Sequence, residues 1–161
     1  MSRDSGREWR ADESPALSTR RDAVVVPGQD PASLHGVAQE SVDGATGLYY
    51  RASGDGGQTW QRSARLAGDA ARNPDLVRAP DGMLAAVWEE TNGAESTTFY
   101  AVSLDDGGSW GAPGHLSDGG SEATHARVVV AKEGYFAFWL ERWGTSERVL
   151  QRKLIPVQHR H

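Results

Sequence analysis

The chain has 161 residues, with 17 Lys plus Arg against 22 Asp plus Glu, a net charge of −5 and no cysteine. This length suits one domain. The acidic balance is wrong for a nucleic-acid partner, the lack of thiols removes disulfides and thiol or zinc–thiolate chemistry, and no apolar stretch reaches the roughly 20 residues that span a bilayer.

The elements follow in chain order. Residues 2–9 read S-x-D-x-G-x-x-W, with Ser2, Asp4, Gly6 and Trp9 in the fixed places. No apolar core accompanies this start, so no export signal is expected in it, and the compartment stays open. A strand is expected at about 9–18, then a first strand beyond Arg20, Arg21 and Asp22. Leu48-Tyr49-Tyr50 forms a short β-rich run before a second copy of the pattern, Ser53, Asp55, Gly57 and Trp60. A polar, charged strand follows at 61–66, suited to an exposed edge. Next come Arg72-Asn73-Pro74, a strand at 75–78, a turn at Pro80-Asp81-Gly82 and the apolar run 83–88. A β-rich run at 97–102 leads into the third copy, Ser103, Asp105, Gly107 and Trp110. Strands are then expected at 126–130, 135–140 and 147–154, with a turn at Lys132-Glu133-Gly134 and a tail from 155 to 161. The runs 83–88 and 135–140 are continuously apolar, which predicts strands covered on both faces.

Three copies of one pattern starting at 2, 53 and 103 define a repeat of about 50 residues. The pattern describes a tight turn. Asp and Ser oxygens accept backbone N–H groups inside it, Gly supplies a backbone angle that other residues resist, and Trp folds back as an apolar plug. A calcium loop does not fit Asp105-Asp106-Gly107, because the spaced oxygen ligands of an EF-hand are missing. Replacing Trp60 or Trp110 with Ala is expected to cost about 3–5 kcal/mol. No metal site or cofactor is expected.

Four antiparallel strands per period make a propeller blade. The predicted fold is all-β: an opening fourth strand, complete blades at about 20–67 and 70–117, and three strands of a further blade, about three four-stranded blades in all. Residues 1–154 form one such segment. Three blades do not close a ring. Either a homodimer, each N-terminal strand completing the partner's last blade, or a longer gene product would supply the other half.

The boxes resemble the Asp-box or BNR repeats of the sialidase superfamily, carried on six-bladed propellers. That resemblance implies a carbohydrate-related role, with the boxes on the face remote from the active site. It also implies an arginine triad for a sugar carboxylate, a Tyr–Glu nucleophile pair and an Asp acid. The superfamily's Arg-Ile-Pro signature is matched by Arg72-Asn73-Pro74 in Arg and Pro only. Tyr50 and Tyr100 occupy equivalent strand positions and read as core rather than as nucleophiles.

On the opposite face, the loops after second strands and before first strands would gather Arg72, Glu90, His125, Arg127, Glu141 and Arg142 as ligand-binding candidates, with Trp143 for stacking. Aligned by period, Gln39 takes in the first blade the place of Glu90 and Glu141. Arginine forks suit a carboxylate and paired acids suit proton transfer. The plainer reading of Glu90 and Glu141 is that repeat-equivalent acids end a strand and pair with neighbouring arginines. The implied function is a binding or scaffold propeller with a glycan ligand; the alternative is an exo-α-sialidase for terminal sialic-acid-like sugars.

Overall fold

The computed structural model describes residues 22–119 and 121–154, with the side chains of 62 and 63 excepted. The first box, the strand expected at 9–18 and the tail lie outside the described residues.

Eleven strands and no helix make up the described chain. Blade 1 is a four-stranded sheet in the order β1 (Ala23–Pro27), β2 (Leu34–Val42), β3 (Ala45–Ser53), β4 (Gln61–Ala67). Blade 2 holds β5 (Ala71–Arg78), β6 (Leu84–Asn92), β7 (Glu95–Ser103) and a two-residue β8 (Gly114–His115). Blade 3 holds β9 (Glu122–Ala131), β10 (Gly134–Trp143) and β11 (Ser146–Leu154). Pairing within each blade is antiparallel; a parallel contact at Ser96↔Glu122 joins blade 2 to blade 3. The chain therefore has the propeller-blade architecture expected from the repeat. No helix among the described residues is long and apolar enough to cross a membrane.

Period-two alternation sends successive side chains of a strand to opposite neighbouring blades. From β2 and β3, Val37, Leu48 and Tyr50 pack onto Leu76, Leu84, Ala86, Trp88 and Ala101 of blade 2. The other face of β6, with Ala85 and Val87, packs onto Ala126, Val128, Tyr135, Ala137 and Trp139 of blade 3. Residues 84–89 are consequently all buried, as a strand covered on both faces requires. β10 differs. Tyr135, Ala137, Trp139 and Glu141 are buried, while Phe136, Phe138 and Leu140 alternate with them and are only half-buried. The expectation of two covered faces fails for 135–140 because no described blade follows blade 3.

The fourth strands also diverge. β4 has seven residues and ends its sheet as a polar edge, but β8 has only two. Gly111-Ala112-Pro113 precedes it, and proline has no N–H for the ladder.

Both described boxes close as hydrogen-bonded turns. Ser53 Oγ donates to Asp55 Oδ1 at 2.8 Å and accepts Gly57 N–H at 2.9 Å. Asp55 in turn accepts Thr59 N–H at 2.9 Å and the Thr59 hydroxyl at 2.6 Å. Ser103, Asp105, Gly107 and Ser109 repeat this network to within about a tenth of an ångström. Bonds from Thr59 hold the Asp55 carboxyl down at about 2. Trp60 donates its indole N–H to Gly57 O at 3.1 Å. Trp110 instead packs on Tyr50 of the preceding blade, with ring centroids 5.1 Å apart.

Candidate functional site

The strand order gives each blade two unlike ends. Boxes sit at one end, beside the first hairpin turns; Gly56 N–H, for example, bonds Ala32 O at 2.8 Å. At the other end lie the turns between second and third strands and the starts of first strands, where Gln39 N–H bonds Asp22 O at 3.1 Å. The ligand candidates fall in the half of the blades toward this second end, because β5 and β9 begin there and β6 and β10 finish there.

First strands carry a repeated irregularity. Asn73 and His125 both adopt positive φ, 48° and 56°. Each stands two residues before the position paired with the middle of the second strand, Asp75↔Val87 and Arg127↔Phe138. The register slips at both places, so these are bulges that free a backbone N–H from the ladder. Neighbouring blades take up those groups. Asp22 Oδ2 accepts Asn73 N–H at 3.1 Å, and buried Glu89 accepts His125 N–H at 2.6 Å and the Asn73 side-chain amide at 3.0 Å. Asp75 Oδ2 further accepts Val128 N–H at 2.9 Å. A carboxylate in one blade thus anchors the bulge of the next.

The individual candidates are engaged as follows. Arg72 donates to the carbonyls of Asp69 and Ala71, the same two that receive the Gln39 amide. Glu90 accepts the Trp88 indole N–H at 3.0 Å, and Glu141 accepts the Trp139 indole N–H at the same distance. Arg127 donates to Ala126 O at 2.7 Å. His125 lies with Nδ1 3.0 Å from the Thr124 hydroxyl. Arg142 bridges Glu122 and Glu147 at the surface.

Pairing also resets one equivalence. Val37 faces Tyr50 as Val87 faces Tyr100, so the first-blade counterpart of Glu90 and Glu141 is Glu40, not Gln39. Glu40 is 2% exposed and makes a bidentate pair with Arg51. All three carboxylates therefore stand at one repeat position, and Glu90 and Glu141 share the strand face of Trp88 and Trp139, which packs on the preceding blade. Gln39 corresponds to Glu89, and both reach forward into the next blade.

A second inter-blade cluster, at the box end, was not signalled by the sequence. Buried His35 places Nδ1 2.6 Å from the Tyr50 hydroxyl, and its Nε2 stands 3.4 Å from Asp106 without hydrogen-bond alignment. Arg78 Nε donates to Asp106 Oδ1 at 2.7 Å. Burial lowers the His35 pKa, with Asp106 opposing the shift, and burial pushes the Tyr50 phenol up to about 12. Tyr50 is buried in the core cluster shared by blades 1 and 2, as its repeat position suggested. Among the described residues no group of three or more His, Cys, Asp and Glu side chains could hold a metal.

One cleft opens between blades 2 and 3. Its volume is about 220 Å³, and Trp139, Glu141, Trp143, Arg148 and residues 116–119 border it. Arg148 lies over the Trp143 ring at 3.9 Å from the centroid.

Among solved structures, one described as NanB plus Optactamide matches 81% of this chain and 21% of its own, with a TM-score of 0.55 and 18% identity. A crystal structure of a mutant NanB sialidase from Streptococcus pneumoniae matches 67% of this chain and 17% of its own, with a TM-score of 0.46 and 22% identity. The chain spans about a fifth of the length of the solved chains it matches. No family model matches it, and neither does any curated protein. The likeness is one of fold: the blades described above resemble a stretch of the NanB fold.

Proposed function

We propose that the chain is a carbohydrate-binding or scaffold module of the sialidase-like Asp-box type, working as part of a closed ring and without hydrolytic chemistry of its own. The observation that carries this reading is the engagement of Glu40, Glu90 and Glu141. Each acid at the repeat position accepts from a guanidinium or an indole inside its own blade. A general acid needs a proton to give and a nucleophile needs an oxygen aimed at the reacting carbon; one oxygen of each of these carboxylates is committed to its own blade instead. Arg72, the best match to a sialidase arginine, is likewise turned onto backbone carbonyls. A fluorogenic sialoside assay tests the point. No turnover is expected; turnover abolished by Arg72→Ala would replace this reading with an exo-α-sialidase.

The ring is supported by the outer face of blade 3. Val149 is 70% and Val129 45% exposed there, beside half-buried Phe136 and Phe138. The counterparts of these β10 residues in blade 2, Ala85 and Val87, are fully buried against the next blade. A second copy of the chain, or further blades of a longer chain, would cover this face. Light scattering on the 17.4 kDa chain distinguishes them: a dimer supports closure by a second copy, and a monomer refutes that form of closure.

A further inference from the structure

We infer that the cleft between blades 2 and 3 binds a single neutral sugar ring, through Glu141, Arg148 and the exposed indole of Trp143. The inference rests on the carbohydrate reading above and gives it a site and a ligand class. Three observations meet in this cleft. Glu141 is only 4% exposed, and its Oε1 is taken by the Trp139 indole. Its Oε2 faces Arg148 Nη2 across 3.9 Å. That span is too long for a direct bond and fits a bridging hydroxyl. A sugar hydroxyl is both donor and acceptor, so it can give its proton to Glu141 Oε2 while receiving one from Arg148.

A second gap of the same length separates Arg152 Nη2 from Asp118 Oδ1. Trp143, 38% exposed, offers the apolar surface that the C–H face of a sugar needs. Arg148 lies over one face of that ring, so the sugar would stack on the face that Arg148 leaves. Charge then selects the ligand. Two acids, Glu141 and Asp118, balance two arginines, Arg148 and Arg152, and the acid is the more deeply buried partner in each pair only at Glu141. An anionic sugar would set its carboxylate against that buried charge; a neutral ring would not. The volume of about 220 Å³ lies below the roughly 300–1,000 Å³ of drug-sized ligand pockets, which suits one ring.

The test is a titration of the whole chain, by tryptophan fluorescence and saturation-transfer NMR, with glucose, galactose, mannose, N-acetylglucosamine and N-acetylneuraminic acid. At least one neutral sugar is expected to bind in the millimolar range. Trp143→Ala and Arg148→Ala, both at exposed positions, should each weaken it at least tenfold with the thermal midpoint unchanged. Neutral-sugar binding that both variants leave intact would overturn the site while keeping the carbohydrate reading. Binding of N-acetylneuraminic acid alone would overturn the charge argument. Absence of binding to every sugar would overturn both.

Discussion

Replacing Gly107 with Ala should be far more damaging than replacing Gly57, although both occupy the same place in the box. Their backbones are alike, with φ of 89° and 88°, so each alanine pays a similar conformational penalty of about 1–3 kcal/mol. The surroundings differ. A Cβ on Gly57 would meet Leu34 Cδ1 at 3.3 Å, the flexible end of a side chain. A Cβ on Gly107 would stand 1.8 Å from the Tyr50 hydroxyl and 2.3 Å from Tyr50 Cζ. Tyr50 would have to leave its place between blades. The displaced ring adds an overpacking cost of about 1–3 kcal/mol, and losing its bond with His35 adds about 0.5–1.5 kcal/mol. The gap between the two variants should therefore be about 2–4 kcal/mol. Urea unfolding measures it directly, and at about 2–4 °C per kcal/mol the thermal midpoints should separate by roughly 5–15 °C. In a Tyr50→Leu background the Gly107→Ala cost should fall toward that of Gly57→Ala. Equal costs for the two glycines in the native background would refute the claim that the second box is the seat of the preceding blade's tyrosine.

Three further outcomes follow from the same geometry. The Asp55 carboxyl is lowered from 3.8 to about 2, so its contribution to stability is complete above pH 3.8 and disappears as pH falls toward 2; Asp55→Asn should flatten that part of an acid-unfolding curve. The His35 pKa is lowered from 6.5 by burial, so the folded state favours the neutral ring: its contribution is complete above pH 6.5 and is lost as pH drops below it. An NMR titration of the His35 ring should give a midpoint under 6.5, and a midpoint above it would contradict the buried placement. Glu89→Ala should cost about 2–4 kcal/mol in urea unfolding by stranding the His125 N–H and the Asn73 amide, whereas Glu89→Gln, which keeps an acceptor oxygen, should cost less.

The box was legible in the sequence because everything that closes it is local. Ser53 and Asp55 bond groups no more than four residues away, so eight residues of text contain the whole turn. Inter-blade ties are different: Glu89 reaches 36 residues to His125 N–H, and Tyr50 packs at a tilt on Trp110 across 60 positions. No local pattern announces such pairs. The bulges that expose Asn73 and His125 were invisible for the same reason, since a left-handed histidine within a β-run carries no compositional mark.

The reassignment of Gln39 shows how a small ambiguity becomes a functional one. Blades 2 and 3 carry Trp two residues before the repeat-position acid, at Trp88 and Trp139; blade 1 has Ala38 there. Without that marker the period alone sets the alignment, and the box spacings of 51 and 50 leave one residue undecided. In a strand one residue is the difference between opposite faces. Read one way, an amide takes the acid's place; read as the hydrogen-bond register has it, three carboxylates share one position. The second pattern turns apparent catalytic acids into a recurring structural acceptor. It also isolates Glu141, where the arginine stands off at 3.9 Å instead of closing on the carboxylate as Arg51 does on Glu40. Of the three acids, Glu141 is the one with an arginine held across an open gap, and the proposed sugar site rests on that gap.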